Sequence, residues 1–187
     1  MPVRVTEVLD YFKEPWYIDW VCRVGKAEAK KTGKMAMAIG SRVDELIKTG
    51  AATSKKDSVE VNTAMQAFDK WKAVYQPKVI TNGTRLYANI GGVDVSGEPD
   101  IFVDGVLVDI KCATKISLKY WIQVNVYATL GADITLPTKV AILRLDKKTG
   151  GYEYQVGDYD KSLFDVWCGM LRAMLYLKGE EDDGDEL

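Results

Sequence analysis

The chain contains no histidine, and that absence removes several chemistries at once. Serine- and cysteine-nucleophile triads that depend on an imidazole base are excluded, as are histidine general bases and histidine-ligated zinc. If the protein hydrolyses anything, carboxylate-held metal activating water is the route left open, and carboxylate oxygens suit hard ions such as Mg²⁺ or Mn²⁺. Cysteine is scarce too: Cys22, Cys112 and Cys168 lie far apart and form no C-x-x-C pair. A zinc ribbon, an iron–sulfur cluster and a disulfide framework are therefore not expected, and the thiols read as reduced and partly buried. No apolar run approaches the ~18 residues of a membrane span, and Met1–Asp10 lacks a basic stretch followed by an apolar one. The expectation is a cytoplasmic protein with neither membrane span nor signal peptide.

What is present suits one folded unit. The 187 residues are 47% hydrophobic and 28% charged, enough to bury a substantial core in a single domain over residues 1–179. Residues 180–186 hold six of the 27 acidic residues and no basic one, so this end reads as a solvated, disordered tail, the alternative being an acidic segment that competes with DNA for a basic groove. The remainder carries 25 basic against 21 acidic residues and is mildly basic although the whole chain is −2.

The opening is helical. Thr6 is placed to cap a short helix through Phe12, and Pro15 sits in the first turn of a second helix from Trp16 to about Lys31, broken by Gly33. A third helix runs from about Met35 to Lys48 and stops at Gly50; a fourth starts at Ser58, reaches about Tyr75 and stops at Pro77. From about Val79 the period becomes that of strands. Arg85–Ile90 and Val93–Val95 flank Gly91-Gly92, and joining them to the next hairpin predicts a three-stranded antiparallel meander. A helix over Ser117–Leu130, strands over Lys139–Leu145 and Tyr152–Val156, and an amphipathic helix over Lys161–Leu177 complete the order. The class is α/β, a mixed central sheet flanked by helices with a helical N-terminal part.

The most informative stretch is Gly97–Lys111. Asp104-Gly105 is a favoured two-residue turn between alternating apolar runs, so Val103 pairs with Val106, Phe102 with Leu107, Ile101 with Val108, and Asp100 with Asp109. Like charges directly opposite one another destabilise a strand pair, and a divalent cation would remove the repulsion. Strand period brings Lys111 onto the face of Asp109. The plain alternative is two solvated acids and a lysine paired with Glu98, but Phe102, Leu107, Val108 and Ile110 indicate burial on at least one face.

In the helix that follows, Gln123 and Tyr127 are four apart and share a face, with Lys119 one turn earlier. Each alone fits a core position: a hydrogen-bonded core amide and a core tyrosine. Lys115 and Lys119 are as much solvent-facing lysines as candidates for DNA contact. Upstream, Gly40-Ser41-Arg42-Val43-Asp44 leads into Glu45, with Lys30, Lys31, Lys34 and Arg42 forming a basic patch open to phosphates or simply to solvent. The five tryptophans, Trp16, Trp20, Trp71, Trp121 and Trp167, read as core rather than base-stacking platforms.

Together these pieces resemble the PD-(D/E)XK nuclease superfamily, in its RecB-like exonuclease branch. Pro99-Asp100 followed by Asp109-Ile110-Lys111 matches the superfamily signature, Gln123-Val124-Asn125-Val126-Tyr127 the Q-x-x-x-Y element, and Gly97-Glu98-Pro99-Asp100 the G-x-x-D element. Thr6, Trp20 and Gly40–Asp44 resemble the leading helices of phage and mitochondrial genome-maintenance exonucleases, with Asp44 standing where that pattern has histidine. The likeness runs from Val5 to Leu130. It implies a restriction-endonuclease-like core and metal-dependent hydrolysis of DNA, single- or double-stranded and linear, in recombination, repair or end processing. Mg²⁺ or Mn²⁺ would be held by Asp100, Asp109, the carbonyl of Ile110 and Asp44. Lys111 would position the attacking water, with Gln123 and Tyr127 organising the lysine or the phosphate, and Arg42, Lys115, Lys119 and Tyr127 meeting DNA. A recombination partner protein is compatible with that setting. A structure- or sequence-specific endonuclease, and an inactive nuclease fold that only binds DNA, are the alternatives.

Overall fold

Two neighbouring strands with apolar residues in both phases make the centre of the molecule. In the computed structural model, which describes residues 1–131 and 137–184, β6 (Val106–Lys111) and β7 (Lys139–Leu145) pair in parallel in the middle of a five-stranded sheet. A strand covered on both faces reads as a continuous apolar run, and Val140–Leu143 is one. Leu107, Val140 and Ile142 point to one side, and Val108, Ala141, Leu143 and Leu145 to the other.

The remaining strands of that sheet are β2 (Ile80–Asn82), β5 (Ile101–Val103) and β8 (Tyr152–Asp158), in the order β2-β5-β6-β7-β8. The first face is covered by α1 (Val5–Tyr11), α5 (Leu118–Leu130) and α6 (Lys161–Gly184), whose Val8, Val124 and Trp167 are fully buried. The second is covered by α3 (Lys26–Thr49) and α4 (Val59–Tyr75), through Val43, Leu46, Phe68 and Trp71. The expected mixed sheet between helices is therefore present, with the helical N-terminal part ahead of it.

The hairpin register is the one expected. Val103 faces Val106, Phe102 faces Leu107 and Ile101 faces Val108, around a turn in which Asp104 and Gly105 both have positive φ, 50° and 85°. That geometry is the reason for an Asp-Gly sequence there.

Three expectations require correction. The meander does not form: β3 (Leu86–Ile90) and β4 (Val93–Gly97) pair with each other and with β1 (Val3–Arg4) in a separate three-stranded sheet, while β5 takes β2 as its outer neighbour. Pro99, in the link between β4 and β5, has no N–H to give a ladder. Second, the N-terminal helices break at Gly25 and not at Gly33. Gly25, with φ 87° and ψ 150°, separates α2 (Pro15–Val24) from α3. Gly33 lies inside α3, where its ~1 kcal/mol penalty is outweighed by the lysines, alanines and methionines around it. Third, Thr6 is not a cap: α1 begins at Val5 with Arg4 at its N-cap.

Elsewhere the boundaries agree closely. Ser58 caps α4, its side chain accepting from the Val61 N–H, and Ser117 precedes α5. Helix α6 continues past Leu177 to Gly184, and residues 185–187 of the acidic segment lie outside the described residues. Among the described residues no helix is long and apolar enough to cross a membrane.

Candidate active site

Strand period delivers the candidate residues to one place. Asp109 and Lys111 share the β6 face that carries Leu107, the face turned toward α5, and Asp109 is fully buried. Lys111 Nζ lies 3.0 Å from Asp109 Oδ1 and 2.8 Å from Oδ2. Only the first contact has hydrogen-bond alignment, so Oδ2 is buried without an aligned donor. Asp100, just before β5, accepts the Ile110 N–H at 2.6 Å. The two acids therefore come together at the open end of the hairpin, away from its turn.

From α5, buried Gln123 donates to Asp109 Oδ1 at 3.2 Å and to the Tyr127 hydroxyl at 2.9 Å. Tyr120, one turn earlier, places its ring 5.3 Å from Lys111 Nζ, within cation–π range. From α3 comes Asp44. Its Oδ2 pairs with Lys48 at 3.0 Å, while Oδ1 is buried and unpartnered. A cleft of about 530 Å³ is lined by Asp44, Asp100, Ile110, Lys111 and Tyr120, and by Thr6 and Met37.

Electrostatics follow from the burial. Desolvation, with the neighbouring Asp109 charge, pushes the Asp100 carboxyl up to about 7. Desolvation also raises Asp109, against the opposing pull of Lys111. Burial would lower Lys111, but the carboxylates of Asp109 and Asp100 outweigh it and hold the ammonium above its ordinary range. Burial raises the Tyr127 hydroxyl, so it stays protonated. The site is a strained cluster of negative charge with one firmly protonated lysine.

Those facts bear on whether a divalent cation fits. Among the described residues no group of three acids lies close enough to make a carboxylate cage by itself. The cleft instead offers Asp100, the carbonyl of Ile110 and Asp44, with Asp109 buried against Lys111 of its wall, all hard oxygen donors. Two carboxylate oxygens, Asp44 Oδ1 and Asp109 Oδ2, lack hydrogen-bond partners although buried. Buried polar atoms are ordinarily satisfied, so this donor set fits a cation of the Mg²⁺ or Mn²⁺ type.

The remaining expected residues are placed differently. Arg42 is engaged by Asp57 at 2.7 Å and Glu45 at 2.9 Å and does not line the cleft. Lys119 pairs with Asp10 at 2.6 Å. Lys115 Nζ stands 5.9 Å from the Trp16 ring centroid. Lys111 does not pair with Glu98, which is held by Lys48 and Arg85, each at 3.1 Å. Of the tryptophans, Trp71 and Trp167 are core, whereas Trp16 is 51% exposed.

Four further residues matter. Lys48 bridges Asp44 to Glu98 and so ties α3 to the Gly97–Asp100 segment. Tyr120 is on the helix face of Gln123 and Tyr127, a spacing visible in the sequence. Gly97 packs so tightly that a Cβ there would sit 2.6 Å from Tyr127 Cε1. Gly83 donates its N–H to the Asp100 carbonyl at 3.0 Å, and a Cβ on it would collide with the Pro99 carbonyl. Gly97 opens the G-x-x-D element read in the sequence, whereas Gly83 is not distinguishable from a turn glycine without the packing.

No protein-family model matches the chain, and no curated protein does. Solved structures do resemble it. An alkaline exonuclease from Laribacter hongkongensis superposes with TM-score 0.51 at 17% identity over 99% of this chain and 91% of that one. The same enzyme in complex with dAMP gives 0.51 and 17% over 96% and 89%. A structure from Eubacterium rectale described as a putative exonuclease gives 0.54 and 16% over 78% and 68%. At such identities the likeness speaks to architecture alone: the chain shares the α/β fold of these solved exonuclease structures.

Proposed function

We propose that the chain is a metal-dependent deoxyribonuclease that hydrolyses phosphodiester bonds of linear DNA from an end. The observation that carries this reading is the meeting of fully buried Asp109 and half-buried Asp100 beside Lys111, with Asp100 raised to about 7. Such a cluster destabilises the fold, and perturbed carboxyls in a cleft are characteristic of sites built for chemistry. A divalent cation bound there would polarise the phosphoryl group and lower the pKa of the attacking water.

The chain's own groups then have distinct tasks. Asp100, Asp109, the Ile110 carbonyl and Asp44 supply oxygen ligands. Lys48 holds one oxygen of Asp44 and leaves the other free. Lys111, kept protonated, donates to the attacking water and opposes negative charge developing on the phosphate. Gln123 fixes Asp109 and Tyr127 through one amide nitrogen, and Tyr127 keeps its proton for donation to a phosphate oxygen.

The exonuclease names of the similar structures, one of them in complex with dAMP, support DNA as substrate and an end as the starting point. A setting in recombination, repair or end processing, including that of a phage, accords with such an activity. The test is digestion of end-labelled linear DNA and of closed circular DNA with Mg²⁺ or Mn²⁺. Loss of the linear form alone, abolished by EDTA, is expected. Cleavage of closed circles would assign an endonuclease, and no hydrolysis of either would overturn the reading.

A further inference from the structure

Helix α2 has no buried residue, although seven of its ten residues are apolar or aromatic. Trp16 and Ile18 are each 51% exposed, and the neighbouring half of α3 exposes Met35 and Met37 at 57% and 74%. An aromatic ladder runs along α2: the Trp16 and Tyr17 rings are 6.0 Å apart, and those of Tyr17 and Trp20 5.7 Å. The polar edge of Trp16 is satisfied, its Nε1 donating to Glu14 at 2.9 Å, while the ring remains half exposed. Helix α2 packs chiefly on α3 and forms with it an arm beside the core.

Charge on this arm has one dominant sign. From Lys13 to Lys34 there are six basic residues against three acidic ones, Glu14, Asp19 and Glu28. Two lysines sit over the aromatic rings, Lys13 at 5.6 Å from Tyr17 and Lys115 at 5.9 Å from Trp16. Lys115 lies in the segment that leaves β6 directly after Lys111, and Met37 of α3 lines the cleft itself. The aromatic face and the candidate active site are therefore neighbours.

We infer that the lysine-flanked aromatic face of α2 and the first half of α3 is a docking surface for single-stranded DNA, stacking unpaired bases on the exposed Trp16, backed by the half-buried Tyr17 and Trp20, and passing the strand toward the cleft. Every base has a π face, so such stacking is tolerant of sequence, and alternating aromatic and cationic groups are what a flexible polyanion with flat bases requires. Bases inside a duplex are already stacked on one another and offer no face to Trp16. The surface therefore selects unpaired strands. This deepens the nuclease reading by naming the form of DNA that enters, and rests on that reading only for the direction toward the cleft.

Binding is tested in EDTA, where it does not depend on hydrolysis. The full chain is titrated with fluorescein-labelled oligo-dT and with a blunt duplex of the same length, following anisotropy and tryptophan emission. Oligo-dT is expected to quench the emission and to bind about tenfold or more tightly than the duplex, with affinity falling as salt rises. Trp16→Ala should weaken oligo-dT binding about tenfold and Trp16→Phe should restore most of it. Tyr176→Ala, an exposed aromatic on α6, serves as the control and should bind normally. Unchanged affinity in Trp16→Ala, or equal affinity for duplex, would overturn the inference. So would self-association in sedimentation that Trp16→Ala dissolves without any effect on oligo-dT, since the face would then belong to a second copy of the chain. If oligo-dT binds as expected and no DNA is hydrolysed with metal, the docking surface stands and the nuclease reading falls.

Discussion

Burying two carboxylates side by side opposes folding, and one neutral replacement should relieve it. Asp100 has a folded pKa of about 7 against an ordinary 3.8, so the folded protein holds its proton more tightly than the unfolded chain. Its contribution is fully present below about pH 4 and is lost as pH rises toward 7. In metal-free buffer Asp100→Asn should raise the melting temperature by ~5 °C near pH 8 and by little near pH 4.5, where the carboxyl is already neutral. A lowered melting temperature at both pH values would mean that Asp100 is not under this strain. At this scale much was legible in the sequence. Turn register and strand period bring Asp100, Asp109 and Lys111 together in the sequence, helix spacing with the family resemblance adds Gln123 and Tyr127, and the five do converge. Lys48 was missed because its partner Glu98 lies 50 residues away in sequence, and the exposure of Trp16 was missed because a large aromatic reads as core until its helix is seen to pack on so little.

Among the elements, the end of β4 and α5 depend on each other through close contacts that leave no spare room. Gly97→Ala would place a methyl 2.6 Å from Tyr127 Cε1 and 3.2 Å from Leu130 Cδ1. The expected cost is about 1–3 kcal/mol in denaturant unfolding, together with a loss of hydrolysis larger than that destabilisation accounts for, since Tyr127 must move. A variant with native stability and native activity would show that the contact yields freely. Strand and helix positions were read well where period and capping are local, as at Lys139–Leu145 and at Ser58. The meander was misjudged because pairing β4 with β5 looked natural from adjacency, whereas Gly97-Glu98-Pro99 carries the chain from one sheet to the other. Gly33 was misjudged because a helix interior tolerates one glycine when its neighbours favour helix.

For the whole molecule, metal and fold should be thermodynamically linked. A cation that binds the folded state alone stabilises it by about 2.7 kcal/mol at a concentration a hundred times its dissociation constant. Mn²⁺ should therefore raise the melting temperature by several degrees. The rise should be larger near pH 8 than near pH 5.5, because Asp100 must give up its proton to become a ligand. An equal rise at both pH values would place the ion elsewhere. The architecture itself was legible as an α/β sandwich around a mixed sheet, since the chain orders helices, strands, helix, strands and helix with local signals at most boundaries. Its division into two sheets and its exposed α2–α3 arm depend on long-range packing that no local pattern records. The most direct test of the proposed chemistry is the initial rate at which Mn²⁺ supports digestion of end-labelled linear DNA by the wild-type protein and by Asp109→Asn. The variant should melt no lower than the wild type in metal-free buffer near pH 8 and yet digest DNA at least about a hundredfold more slowly. Digestion by folded Asp109→Asn at a rate near that of the wild type would contradict the assignment of this cleft as the active site.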